Sequence, residues 1–123
     1  MSAILRIEHV QLAMPPGCEA EAREFYSGLL GIPEVAKPPE LAGRGGAWFA
    51  TGGVKIHLGV EVGFQPARKA HPALVVRGLP ALIERLRTSL VEVVEDPLEG
   101  YRRVYITDPF GNRIELMEPE GDV

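Results

Sequence analysis

The sequence contains one cysteine and no long apolar run in its 123 residues. Cys18 alone cannot form an intramolecular disulfide, which excludes a disulfide-stabilised fold. Arg6 and Glu8 stand where a signal peptide needs an apolar core, and no segment approaches the roughly 18 to 20 apolar residues that cross a bilayer. We therefore expect a cytoplasmic protein with no membrane partner.

Positive charge is also scarce, because 13 Lys and Arg residues against 17 Asp and Glu residues give a formal net charge of -4. The basic excess that drives non-specific nucleic-acid binding is missing, so we expect no nucleic-acid partner. Hydrophobic residues make up 46% of the chain and charged residues 24%, which is typical of an ordinary globular protein and excludes intrinsic disorder. The length predicts a single domain over residues 1–123.

The order of apolar segments repeats once along the chain. The first half predicts a strand with period-2 alternation at 4–14, an amphipathic helix at 22–30 and a short strand at 33–37. Two further strands are predicted within 46–61, joined by a glycine turn. The second half predicts the same order, with a strand at 70–77, a helix from Pro80 and strands near 91–96, 100–107 and 112–118. We predict an α+β fold of two tandem βαβββ modules, at about 1–62 and 68–120. They would form a curved, mostly antiparallel sheet around a cleft, with helices outside.

The repeat aligns four side chains that can bind a metal ion. Residues 53–58 match residues 111–116, which places His57 over Glu115, while His9 and His71 begin corresponding strands. Imidazole nitrogens and a carboxylate oxygen suit a first-row divalent ion, so the sequence predicts one ion (Zn, Ni, Co, Mn or Fe) held by these four residues. The alternative is a merely polar cleft, because a lone strand histidine is more often a surface or core side chain.

Three further side chains are candidates for substrate binding. A hairpin at the glycine turn would place Trp48 opposite His57, where the indole could stack on a substrate or simply pack. Arg103 and Tyr105 could bind a substrate carboxylate or phosphate, although an exposed arginine is usually only solvated. Cys18 has no histidine nearby in the sequence and is predicted to be an inert thiol.

Four segments carry a family resemblance, namely Ile7-Glu-His-Val-Gln-Leu-Ala13, Phe25-Tyr-Ser-Gly-Leu-Leu-Gly31, Ala70-His-Pro-Ala-Leu-Val-Val76 and Asp108-Pro-Phe-Gly-Asn-Arg-Ile-Glu-Leu116. Together they resemble the glyoxalase/bleomycin resistance/extradiol dioxygenase group, the vicinal oxygen chelate superfamily. In its metal-dependent members the matching His9, His71 and Glu115 positions bind the ion. A fourth ligand, Glu or Gln in glyoxalase I-like and epimerase-like members, falls on His57, so the chain departs from their pattern.

The resemblance implies a glyoxalase-like, metal-dependent lyase or isomerase that acts on a small carbonyl-containing substrate by oxygen chelation and proton transfer. Glu115 or a bound hydroxide would move the proton. Fosfomycin-resistance activity is not expected, because residues 98–103 lack a Lys- and Ser-rich loop, and no spare histidine remains for an extradiol dioxygenase. The alternative function is a metal-free, bleomycin-resistance-like protein that sequesters a drug or toxic aromatic compound. Small members are commonly homodimers, so the ligands could come from one chain or from two.

Overall fold

The computed structural model describes residues 1–121, and the chain divides into a first unit, residues 1–64, and a second unit that begins at Gln65. The first unit contains β1 (Val10–Met14), α1 (Glu19–Ala22), a π-helical segment (Arg23–Leu29), β2 (Glu34–Val35), a 3-10 segment (Pro39–Arg44), β3 (Ala47–Thr51) and β4 (Val54–Val60). The second unit contains β5 (Ala73–Val75), α2 (Leu79–Thr88), β6 (Val94–Glu95), β7 (Tyr101–Thr107) and β8 (Arg113–Pro119).

The two units have the same sheet topology. The strand order is β1-β4-β3-β2 in the first unit and β5-β8-β7-β6 in the second. In each sheet the first pairing is parallel and the other two are antiparallel. The predicted α+β class, with a βαβββ order in each half and mostly antiparallel strands, is confirmed.

The first strand is shorter than its sequence pattern predicts. Alternation begins at residue 4, but β1 begins at Val10, which is paired with Ile56. Only two residues of β4 precede Ile56 before the chain turns at Gly52 and Gly53, so residues 4–9 have almost no strand left to pair with. An alternating pattern without a hydrogen-bonding neighbour does not form a strand.

The first predicted helix is present, but most of it has π-helical geometry. The amide of Leu30 bonds to the carbonyl of Phe25, five residues earlier, at 2.9 Å. Phe25 and Tyr26 are buried, and the Tyr26 ring stacks on Phe49 of β3 with centroids 5.4 Å apart. The wider turn therefore still places the apolar face of the helix on the sheet.

Alternation along the central strands separates a core face from a polar face in each unit. In β4 the buried Ile56 and Leu58 lie on the core face, and in β8 Ile114 and Leu116 do the same. The helix α2 covers the second core face with Leu79, Leu82, Ile83 and Leu86. The residues between these core positions therefore project from the other face of each sheet. No helix among residues 1–121 combines the length and apolar character needed to cross a membrane.

Candidate functional site

The strand register gives the four predicted ligands equivalent positions in the two sheets. His57 lies on β4 and Glu115 on β8, and each pairs with a residue of the parallel edge strand. That paired residue lies two positions after His9 in the first unit and two positions after His71 in the second unit. The structure therefore brings together one pair of predicted ligands in each unit. No group of three or more potential metal ligands occurs among residues 1–121.

In the first unit His57 is stacked between two other rings. Its imidazole is parallel to the Trp48 indole, at a centroid distance of 3.8 Å, and stacks on the His9 imidazole at 4.1 Å. Trp48 pairs with His57 across β3 and β4, as the hairpin predicts. Burial, and next the nearby His9, lower the pKa of His57, so its ring is neutral near pH 7. A neutral imidazole keeps the lone pair that a metal ion requires.

In the second unit both ring nitrogens of His71 face oxygen atoms. Nδ1 lies 2.7 Å from the carbonyl oxygen of Lys69, and Nε2 lies 2.9 Å from Oε1 of Glu115. A neutral imidazole has only one N–H, so it can donate to only one of these two acceptors. If Nε2 carries the hydrogen, it donates to Glu115; if Nδ1 carries it, the lone pair of Nε2 faces the carboxylate, and both could bind one cation.

Glu115 is buried, with only 8% of its surface exposed, and yet it is held in its charged form. Burial by itself raises the pKa of this carboxyl group. The hydrogen bond with His71, the charge of Arg103 and a hydrogen bond from Tyr105 together outweigh burial, so the pKa lies below its ordinary value. The ligand types present, imidazole nitrogens in both units and an ionised carboxylate oxygen in the second, are ones that divalent first-row ions accept.

Arg103, a predicted substrate residue, is engaged by two carboxylate residues. Its Nε donates to the backbone carbonyl of Asp96 at 2.9 Å, and Nη2 lies 3.4 Å from Oδ2 of the same residue. Its Nη1 lies 3.5 Å from Oε2 of Glu115. These contacts show that Arg103 positions Glu115, whereas its contact with a substrate stays a prediction.

Tyr105 forms part of the wall of a cavity of about 510 Å³ in the second unit. Its ring lies edge-on to His71 at 5.4 Å, and the guanidinium of Arg113 lies 4.1 Å from the ring centroid. Arg113 is not among the predicted site residues, although its position two residues before Glu115 on β8 places it on the same face. The other lining residues include Arg68, Glu92, Val94, Glu95, Asp96 and Thr107.

Replacing Arg103 by methionine is expected to raise the pKa of Glu115 and to lower the free energy of unfolding by about 2 kcal/mol near pH 7. The depressed pKa of Glu115 stabilises the fold above the ordinary carboxyl pKa, and this stabilisation is lost as the pH falls through the folded-state pKa. The variant should therefore lose less stability than the parent when urea unfolding is compared at about pH 7 and about pH 3.5.

Arg102→Met is the matched control for this experiment, because Arg102 is the next residue on β7 and forms a surface ion pair with Glu95 at 3.1 Å. Its effect should be within about 0.5 kcal/mol of zero. Equal effects of the two substitutions would contradict the positioning role of Arg103.

The chain is similar to known proteins over nearly its whole length. The family model described as Glyoxalase/Bleomycin resistance protein/Dioxygenase superfamily matches residues 6–116. A structure assigned to the glyoxalase family, from Bacillus anthracis, is 46% identical with a TM-score of 0.93, over 98% of this chain and 99% of that one. No curated protein matches the sequence.

Two more distant structures share the fold. The fosfomycin resistance protein FosX from Listeria monocytogenes is 19% identical with a TM-score of 0.75, over 98% of this chain and 96% of that one. TnmS3, an antibiotic binding protein from a Streptomyces species, is 22% identical with a TM-score of 0.74, over 98% of this chain and 100% of that one.

Proposed function

We propose that this chain, which belongs to the glyoxalase/bleomycin resistance protein/dioxygenase superfamily, is a metal-dependent lyase or isomerase that acts on a small carbonyl-containing substrate. His9 and His57, together with His71 and Glu115, would hold one divalent ion within one chain or across two copies. The contact that supports this proposal most directly is the one between His71 and Glu115. Nε2 of His71 and Oε1 of Glu115 lie 2.9 Å apart, so one cation could bind to both atoms.

The pKa shifts of His57 and Glu115 favour the protonation states that a metal ligand needs. A bound divalent ion would polarise two substrate oxygens and stabilise negative charge that develops beside the carbonyl. His57 is neutral near pH 7 because of its burial, and the contact of Nδ1 with the carbonyl of Lys69 orients the His71 ring with Nε2 towards Glu115. Glu115 would also accept the proton from the substrate carbon and return it to the product.

Metal titration of protein stripped with a chelator tests this proposal. Isothermal calorimetry with Zn, Ni, Co, Mn and Fe(II) salts should find one tight site per chain for at least one ion, and His71→Ala should abolish it. Retained secondary structure, measured by circular dichroism, would show that the variant is folded. Stoichiometric metal binding by folded His71→Ala protein, or no binding by the parent, would overturn the proposal.

The cavity next to Tyr105 favours a second candidate function, a metal-free protein that sequesters a drug or toxic aromatic compound. Its volume of about 510 Å³ lies in the range of small-molecule sites, and its wall carries an aromatic ring with a guanidinium packed on it. Under this alternative, aromatic ligands would bind to chelator-treated protein and His71→Ala would leave their affinity unchanged. The calorimetric experiment therefore separates the two functions.

A further inference from the structure

A second cavity, of about 260 Å³, lies in the first unit beside Trp48. We propose that it is an oxyanion subsite that binds a carboxylate or phosphate group of the substrate. Assigning the anion to the substrate rests on the proposed function, whereas the binding of an anion to this cavity does not. The lining residues are Gln11, Lys37, Leu41, Arg44, Gly45, Trp48, Leu58, Gly59 and Val60.

The cavity lining carries positive charge without an acidic residue. Lys37 and Arg44 are the charged residues among the described side chains that line it. Arg44 forms no ion pair with any residue in the described part of the chain, 1–121. The ammonium of Lys37 donates one hydrogen bond to the carbonyl of Gly45, which leaves two N–H groups for a ligand. Two cations at one cavity favour an anionic ligand, which both can contact at once.

The charge of Lys37 helps to lower the pKa of Glu19, but the Glu19 carboxylate already accepts a hydrogen bond. Its Oε2 accepts a hydrogen bond from the backbone amide of Gly46 at 2.8 Å. This bond is the largest of the causes that lower the pKa of Glu19, ahead of the charges of Arg23 and Lys37. Glu19 therefore fixes the backbone beside the cavity and does not line the cavity itself.

One wall of this cavity comes from a connection that is much shorter in the second unit. Residues 36–46 connect β2 to β3, whereas only residues 96–100 connect β6 to β7. The longer connection contributes both cations. Gly59 leaves space for the Gln11 side chain, because a Cβ atom at this position would lie 2.6 Å from Nε2 of Gln11. The amide of Gln11 thus lies over Gly59 and adds a neutral hydrogen-bonding group to the lining.

Trp48 joins the cavity to the proposed metal ligands. The indole lines the cavity and is parallel to the His57 ring at 3.8 Å. An anionic group held by Lys37 and Arg44 would therefore lie one side chain away from a proposed ligand. Such an anchor would orient the substrate carbonyl. The site would therefore prefer small carbonyl compounds that also carry a carboxylate or phosphate group.

Trp48 also reports on binding, because it is the only tryptophan in the chain. Chelator-treated protein is titrated with benzoate, with inorganic phosphate and with neutral benzamide, and the Trp48 emission is recorded at constant ionic strength. At least one anion should change the emission saturably, and benzamide should bind at least about tenfold more weakly. The double substitution Lys37→Gln and Arg44→Gln should weaken the anion response by at least about tenfold, and Lys37→Arg with Arg44→Lys should restore most of it.

Arg77→Gln combined with Arg87→Gln is the matched control, because it removes two exposed positive charges that line neither this cavity nor the one beside Tyr105. A response to benzoate alone indicates a carboxylate substrate, a response to phosphate alone indicates a phosphate ester, and either supports the proposal. The absence of any anion response, equal binding of benzamide, or equal losses in the two double variants would overturn it. Because no metal is present, failure of metal binding leaves this result intact.

Discussion

Glu115→Gln protein is expected to bind a divalent ion at least about 100-fold more weakly than the parent protein. Glutamine keeps the size of the side chain but removes the negative charge, which the contacts with His71 and Arg103 maintain in the parent. Substituting an outer-shell partner of a metal ligand typically costs 10- to 100-fold in affinity, so the loss of a ligand charge should cost about 100-fold or more. Competition against a chromophoric chelator near pH 7 measures the difference.

Glu120→Gln is the control for this change, because it removes the same charge from an exposed residue just beyond β8. Its metal affinity should match that of the parent within about twofold, since exposed charges are strongly screened. If folded Glu115→Gln protein kept the parent affinity, Glu115 would not be a ligand. The proposed ion would then lack its only carboxylate donor.

The repeat and its register could be predicted because they are encoded locally. The alternation around His57 and Glu115 survives in the structure, since a strand with one apolar face has only one way to bury that face. The glycine turn at Gly52 and Gly53 fixes the hairpin, so the pairing of Trp48 with His57 follows from the sequence. These short-range rules place the predicted ligands on the polar face of each sheet.

The contacts of Arg103 could not be predicted in the same way. The sequence shows that Arg103 lies on one predicted strand and Glu115 on the next. It does not show that Asp96, which directly follows β6, places its Oδ2 atom 3.4 Å from Nη2 of Arg103. An arginine that contacts two acidic residues holds those residues in place. An arginine without such contacts is available to bind a substrate. Sequence patterns identify the charge, but tertiary contacts decide which role it takes.

The cavity in the first unit could not be predicted from the sequence either, and the reason is similar. Lys37 and Arg44 belong to a connection that has neither strand nor helix periodicity, so no pattern assigns their side chains to a face. Their positions at the cavity beside Trp48 depend on the backbone path through Gly45 and Gly46. Both glycines have positive φ, at 74° and 81°. The sequence shows two adjacent glycines, but not the backbone angles that they adopt.

Gly46→Ala is expected to lower the free energy of unfolding by about 3 kcal/mol. The left-handed backbone at this position costs a residue with a side chain about 1 to 2 kcal/mol. A Cβ atom would also lie only 2.1 Å from the carbonyl oxygen of Leu58, and a forced shift in a packed region adds about 1 to 3 kcal/mol. Because the clash is with backbone, no side-chain rotation can relieve it.

Gly52→Ala separates the two contributions, because Gly52 also has a positive φ, at 55°, but a Cβ atom there would meet nothing within 4 Å. Urea unfolding followed by Trp48 emission and by circular dichroism should show a loss of about 1 kcal/mol for Gly52→Ala and a much larger loss for Gly46→Ala. Equal losses would mean that β4 moves away from residue 46 at little cost. If the close approach of Gly46 to Leu58 is required, the Gly46 variant should also lose the anion response, since the same backbone carries Arg44 and Gly45 at the cavity wall.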